Sequence, residues 1–265
     1  MPVLNWASHH RLWVLVAGVA ALVLAFVGGV WFFTARNPGT QIGIRQALLQ
    51  YRQNQRAEGA SGSTPLPLSG VYRYRTSGGE HLSVGDIARV FPNTTEMIVT
   101  DAKCATLEWE PLEQHKEEMV ECPVQEGILS MTSALTYEEI AGIQTTNLIQ
   151  CPSNAYLVPP PSVGDEWHAT CHASDQKIAL SGEVIGASSV DIGGHAEPAL
   201  HVRLTLVFSG SETGTNPADY WVSLKDGMIL REHETVDVSQ VVGPLGSVRY
   251  AEQMTITLSS LTPIR

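Results

Sequence analysis

Apolar and polar residues alternate along most of the chain after Val71, and this period of two most limits how it can fold. The pattern is clear over residues 202–208 and 254–258, and it is typical of antiparallel strands with one buried face. Turn-forming sequences lie between the runs, at residues 77–79, 193–194 and 226–227. The last of these, Asp-Gly, predicts a two-residue hairpin. No long helical pattern intervenes, which excludes parallel βαβ units. We therefore expect a mainly β fold, an antiparallel meander forming an open or incomplete barrel.

A transmembrane helix is expected to precede this domain. Residues 12–33 form an unbroken run of 22 residues without a charged or strongly polar side chain. A helix needs about 20 apolar residues to cross the hydrocarbon layer, and Trp13 and Trp31 lie near its ends, where interfacial aromatics concentrate. The alternative is a cleaved signal peptide, whose apolar region is only about 7–15 residues long. The run predicts an uncleaved, single-pass signal anchor in the lipid bilayer, with residues 1–11 as a cytoplasmic tail.

The orientation of the anchor depends on two signals that disagree. Arginines are more frequent after the anchor, at residues 36, 45, 52 and 56, than before it, which by the positive-inside rule places the domain in the cytoplasm. Long domains, however, are translocated largely regardless of flanking charge. The cysteines favour an oxidising compartment, so we expect a cell-membrane protein whose C-terminal domain is extracytoplasmic.

Four cysteines carry that expectation: Cys104, Cys122, Cys151 and Cys171. They form two local pairs, and an even number of cysteines between strands is typical of disulfides in exported proteins. Three connectivities are possible, of which pairing within each local pair fits antiparallel neighbours. The alternative is four buried free thiols.

The segment between the anchor and the domain divides into two parts. Residues 34–58 are expected to contain a juxtamembrane helix, in which Ile44, Leu48 and Tyr51 share one side and three arginines share another. This helix either lies along an anionic lipid surface or forms a solvated stalk. Residues 59–70 are rich in Gly, Ser and Pro and predict a flexible linker, so the extracytoplasmic β domain comprises residues 71–265.

Charge excludes one class of partner. Residues 1–58 contain five basic residues and one acid, which leaves 11 basic and 26 acidic residues in 59–265, a net charge of −15. Such a domain repels phosphate backbones, so we expect no nucleic-acid partner.

Known catalytic motifs are absent from the sequence, including G-x-S-x-G, the P-loop and H-E-x-x-H. We therefore expect no catalytic residues and no cofactor. His168 and His172 are weak metal candidates, because residues four apart on a strand face the same side, but zinc sites need further ligands. Six glutamates between residues 108 and 121 suggest acid–base chemistry or, as the better explanation, a solvated acidic face.

Aromatic side chains on the predicted strands form core or, alternatively, line an apolar cavity between the curved sheet and its cover. The candidates for cavity lining are Tyr72, Tyr74, Trp109, Trp167, Tyr220 and Trp221.

The segments 70–80, 91–95 and 104–122 resemble a group of actinobacterial membrane-anchored proteins, in which an N-terminal helix precedes a domain with this tyrosine strand, glycine turn and cysteine-bounded tryptophan strand. The resemblance covers most of residues 70–265 and implies the same organisation. More distantly, the strands ending in 221–231 are similar to the half-barrels of lipoprotein carriers of the LolA type, although fold does not fix function.

These observations predict a non-catalytic, membrane-anchored domain that acts as a protein-interaction or assembly module of the cell envelope. One alternative is a half-barrel that binds a lipid or another amphiphile. A third is a metal-assisted hydrolase that uses the two histidines.

Overall fold

The computed structural model describes residues 39–55, 66–125, 128–140, 142–158 and 162–265. Within these residues the protein is an antiparallel β-sheet with one α-helix, α1 (Ile44–Gln55), and two short 3-10 turns. The strands are β1 (Gly70–Leu82), β2 (Ile87–Val90), β3 (Thr94–Asp101), β4 (Ala105–Leu112), β5 (His115–Gln125), β6 (Ile128–Ile140), β7 (Ile143–Gln150), β8 (Tyr156–Val158), β9 (Glu166–Ala173), β10 (Gln176–Ile192), β11 (His195–Ser209), β12 (Glu212–Ser223), β13 (Ile229–Val241) and β14 (Ser247–Leu258). The antiparallel, mainly β prediction is confirmed.

The sequence predicted an antiparallel meander forming an open or incomplete barrel, and the structure shows a sheet that closes on itself as a ring. Most neighbours in the ring are consecutive in sequence, from β3 to β7 and from β9 to β14. β14 then pairs with β1, from Tyr74 opposite Leu258 to Leu82 opposite Tyr250. This closure is possible because β1 is long: its other edge pairs first with β3 and then with β2.

The turn predicted at residues 77–79 lies instead inside β1. Gly78 has a φ of +125°, and a Cβ built there would lie 2.0 Å from the carbonyl oxygen of Gln253 on β14. The glycine therefore allows β14 to approach β1 rather than reversing the chain. The other two predicted turns do connect strands, but the β12–β13 connection includes residues 224–228 and is longer than the predicted two-residue hairpin.

The two disulfides are Cys104–Cys122 and Cys151–Cys171, so the local connectivity is the one present. The first joins the adjacent strands β4 and β5. The second joins the end of β7 to β9, where the two strands pair only through Gln150 and His172. This disulfide therefore holds the weakest seam of the ring.

The helix α1 packs against the outer surface of the ring, where Ala47 and Tyr51 are buried with Val71 of β1 and Ile98 of β3. Its apolar side is covered by the sheet, and it is neither a solvated stalk nor free to place that side on lipid. The predicted tail (1–11), membrane anchor (12–33) and most of the predicted linker (59–70) lie outside the described residues. Among the helices that the structure does describe, none has the length and apolar character needed to span a bilayer.

Candidate functional site

A cavity of about 130 Å³ lies inside the ring. Strands from both halves of the sheet contribute to its wall, because the inward residues of β3–β7 face those of β11–β14. The lining residues are Met97, Leu107, Trp109, Glu117, Glu118, Met119, Met131, Ala134, Leu135, Thr136, Glu138, Asn147, Ile149, Leu206, Phe208, Glu212, Asn216, Tyr220, Ile229, Glu232, Glu234, Val236, Val238, Tyr250, Glu252, Met254 and Ile256.

The buried part of the wall is mainly apolar. Met97, Met254 and Ile256 are each at most 4% exposed. Trp109 contributes its ring, and its indole Nε1 donates a hydrogen bond to Thr95 Oγ1 at 2.9 Å, so it has no unmet polar group. A tail or ring of low polarity can therefore be accommodated there.

The polar part of the wall is acidic. Seven glutamates line the cavity, and none of its described lining residues is Lys, Arg or His. Glu232 and Glu234 project inward from β13, and Glu252 projects inward from the neighbouring β14, all three buried. Burying carboxylates without cations is strongly unfavourable unless the groups become neutral.

The carboxyl groups accordingly resist ionisation. Burial, with the nearby charge of Glu234, raises the pKa of Glu232 well above its usual value, and burial does the same for Glu252. Burial raises the pKa of Glu234 to about 7. Glu138 is half-buried as a residue, but its carboxyl group is enclosed by protein atoms, and its pKa is raised to about 8. At neutral pH much of this wall is protonated.

An ion-pair network lies beside the acidic wall. Arg89 donates to Glu80 at 2.5 Å, and His115 Nδ1 lies 2.9 Å from the other oxygen of that carboxylate. The Tyr250 hydroxyl is within hydrogen-bond distance of Glu80, at 3.0 Å, and of Glu252. Burial opposes a charge on His115, but Glu252 and the other carboxylates outweigh it and raise the pKa of His115 well above its usual value. Glu80, paired with both cations, keeps a lowered pKa despite its burial.

Ligand atoms of Glu80, His115 and Glu252 lie within 4.8 Å of one another, which is close enough to hold a metal ion. Both Glu80 oxygens are already engaged by cationic donors, however. A protonated His115 also has no lone pair to offer a metal. The cluster is therefore an ion-pair network, and we assign it no metal.

Two acceptor atoms of the cavity wall lack a donor among the described residues: Glu252 Oε1 and Asn216 Oδ1. Glu252 is 3% exposed, so solvent does not readily supply that donor. Asn216 is fixed by its own amide, because Nδ2 donates to Glu234 Oε1 at 2.6 Å. Buried acceptors of this kind are normally satisfied, and either water or a donor group of a bound molecule can satisfy these two.

Of the aromatic residues considered from the sequence, Trp109 and Tyr220 line the cavity. The other inward-facing ones lie in the core away from it. The Tyr72 hydroxyl donates to a backbone oxygen at 2.8 Å and that of Tyr74 to another at 2.6 Å, while Trp167 packs beside Tyr156.

Trp221 lies on the outer face of the ring. Its ring stacks on His201 with centroids 4.3 Å apart, and the Arg231 guanidinium lies 4.8 Å from its centroid. Consecutive residues of a strand face opposite sides, so Trp221 cannot accompany Tyr220 inside.

His168 and His172 both project outward from β9 and are exposed. The structure does place them on one side, but the only group of three potential metal ligands among the described residues is the buried one around His115. The two histidines therefore have no third ligand in the described part of the chain.

The glutamates between residues 108 and 121 are not simply a solvated face. Glu108 and Glu121 are buried, and Glu117 and Glu118 line the cavity. The inward glutamates of β13 and β14 were missed from the sequence, although Glu252 is in phase with the inward residues that follow it on β14.

Comparisons with known proteins assign no function. No family model matches the chain, and no curated protein matches it. Among solved structures, the chain is similar to the hypothetical lipoprotein YmcC from Escherichia coli (K12), with 10% sequence identity and a TM-score of 0.34. The match covers 83% of this chain and 100% of the other. At this identity and TM-score, nothing about function follows from the likeness.

Proposed function

We propose that the protein binds a small amphiphilic molecule inside its ring of strands and catalyses no reaction. The observation that carries this proposal is the cavity, which combines an apolar wall with a small number of polar groups. Ligand sites typically have this character. An engineered apolar cavity of ~150 Å³ binds benzene, so the space here suits a small apolar group or a segment of a longer chain.

The proposed location is the extracytoplasmic side of the cell membrane, with the predicted span at residues 12–33 as the anchor. The support comes from the two disulfides, because such bonds persist in oxidising compartments. Three predictions from the sequence stay predictions: that the domain is a protein-interaction module, that it is not an enzyme and, as the weaker alternative, that it is a metal-assisted hydrolase.

Octanol is a suitable neutral probe, because it combines an apolar tail with one polar group. We would titrate it by calorimetry into the full chain held in nanodiscs of zwitterionic lipid, with empty nanodiscs as the blank. Saturable binding to one site per chain is expected. Absence of saturable binding would contradict the proposal.

Two matched variants test whether octanol binds inside the cavity. Ala134 lines the cavity, and Ala134→Phe puts a ring into it. Ala187 is exposed on β10, and Ala187→Phe adds the same ring outside. Octanol binding is expected to be lost only in the first variant, with far-UV circular dichroism and disulfide content checking that both fold. Equal binding by both variants would place the site elsewhere.

A further inference from the structure

We propose that the cavity selects a cation, namely an amphiphile that carries a protonated amine on an apolar tail. This inference rests on the proposed function, because it assigns the charge of the molecule that the cavity binds.

The first support is the sign of the wall. Seven carboxyl groups line the cavity, and all of them belong to glutamates. No basic side chain lies among the described lining residues. Three wall glutamates have a cation behind them: His115 lies 3.2 Å from Glu117 and 3.9 Å from Glu252, and Lys116 lies 3.8 Å from Glu118. Glu232 and Glu234 have no ion-pair partner among the described residues. A wall that can ionise only to negative charge favours ligands of the opposite sign. An ammonium can pair with carboxyl groups that ionise when it binds, whereas an anionic headgroup gains no cationic partner from the lining residues.

The second support is the arrangement of three carboxyl groups. Glu232 and Glu234 share the inner face of β13, two residues apart. Glu252 on β14 is opposite Val236, which makes it a diagonal neighbour of Glu234. Diagonal neighbours on a sheet are about 7–8 Å apart, within reach of long side chains. An ammonium group has three donors in a compact head, so it can bridge such a set.

The third support is the set of hydrogen-bond acceptors in the wall. Asn216 Oδ1 and, once its carboxyl group is ionised, Glu252 Oε1 are acceptors without a donor among the described residues, and Glu252 is more than nine-tenths buried. A ligand that satisfies them must present N–H or O–H groups. The rings of Trp109 and Tyr220 in the same wall also favour a cation over their faces.

Binding of the ammonium should release protons, because several wall carboxyls are protonated in the empty cavity. The pKa of Glu234 is about 7, and burial raises the pKa of Glu232 and of Glu252 well above the usual value of a glutamate. The titratable and charged groups that face this set are Tyr74 and Glu80 on β1, Arg89 on β2, His115, Glu117 and Glu118 on β5, Glu138 on β6, Glu212 and Tyr220 on β12, and Tyr250 on β14. Affinity for an ammonium is therefore expected to rise between pH 6 and 8, by up to about tenfold per pH unit for each proton released.

The test compares three eight-carbon probes: octylammonium chloride, octanol and sodium octanoate. Calorimetry uses the full chain in zwitterionic nanodiscs, with empty nanodiscs as the blank. We expect octylammonium to bind at least tenfold more tightly than octanol at pH 7.5, and octanoate to bind most weakly. Octanoate binding as tightly as octylammonium, or octanol matching it, overturns the charge assignment but leaves the proposed function in place. Failure of all three probes overturns the proposed function itself.

Two variants and a control locate the charge. Glu252→Gln and Glu234→Gln should each reduce the preference for octylammonium over octanol about tenfold while leaving octanol binding intact. Glu166→Gln, on the exposed outer face of β9, should leave the preference unchanged. An unchanged preference in both cavity variants contradicts the proposal, and if either variant does not fold, the ranking of the three probes on the unmodified chain decides.

The same ammonium chemistry occurs on an amine-bearing lipid and on a soluble alkylamine. Native mass spectrometry of the full chain taken from its own membranes distinguishes these sources by the mass of the retained molecule. Retention of acidic amphiphiles alone overturns the assignment.

Discussion

Glu121 is expected to make the protein less stable as pH rises. It lies on β5 between Ala105 of β4 and Met131 of β6, its side chain is fully buried, and neither carboxyl oxygen has a partner among the described residues. Burial raises its pKa from 4.5 to about 8. The folded state therefore holds a proton that the unfolded chain has lost at neutral pH.

The sign and size of the effect follow from this difference. Below pH 4.5 both states are protonated and the carboxyl group makes no pH-dependent contribution. As the pH rises from 4.5 to 8, only the unfolded state is deprotonated, so the free energy of unfolding falls. A pKa difference of about 3.5 corresponds to about 5 kcal/mol, reached in full above pH 8.

Glu121→Met removes this contribution. Urea unfolding of the full chain with both disulfides intact, followed by tryptophan fluorescence at pH 4.5 and pH 8.5, gives the pH dependence for each variant. Because the pH range begins at the pKa of the unfolded carboxyl group, the loss of stability across it should be about 4 kcal/mol smaller in Glu121→Met than in the unmodified chain. Glu113→Gln alters an exposed glutamate of the same region and should leave the loss unchanged. Parallel pH profiles for the unmodified chain and Glu121→Met would refute the reasoning, because other buried carboxyls act equally in both.

Three further outcomes are expected from the same unfolding assay. Replacing Cys151 and Cys171 by Ser should lower the free energy of unfolding by about 3 kcal/mol, since a loop of about 20 residues is no longer closed; an unchanged value would mean that the seam is held by other contacts. Gly182→Ala should destabilise by about 1–3 kcal/mol, because its Cβ would lie 2.1 Å from the Trp167 ring; if the clash is the cause, the same substitution should cost much less when it is made in a Trp167→Leu variant. Arg89→Met should destabilise by up to about 3–5 kcal/mol, because the buried Glu80 loses one of its two cationic partners and keeps only His115; a double variant that also carries Glu80→Gln should be closer to the unmodified chain.

The alternation of apolar and polar residues is enough to predict the strands and the side of the sheet that each residue faces. Strand type and antiparallel pairing follow from a period of two, and the pattern over 254–258, continued backwards, places Glu252 inward with Met254. The closure of the ring had no such signal, because the pairing of Tyr74 with Leu258 joins residues far apart in sequence. Alternation also leaves cavity and core indistinguishable, since an inward residue lines a cavity only where the opposite side chains fail to fill the space. Tyr74 and Tyr220 show the difference, as both face inward and only Tyr220 lines the cavity.

Inward glutamates contradict the rule that buried positions are apolar, and such contradictions concentrate at functional sites. Burial of Glu234 and Glu252 lowers the stability of the empty protein at neutral and high pH. Both line a cavity in which a bound cation could form ion pairs with them. If the cavity binds an ammonium, the same carboxyl groups contribute both to the binding free energy and to the pH dependence of the free energy of unfolding. Glu121 is different, because it is buried away from the cavity lining and no occupant relieves its burial. A bound cation should therefore reduce the pH dependence that comes from the cavity glutamates and leave the part that comes from Glu121.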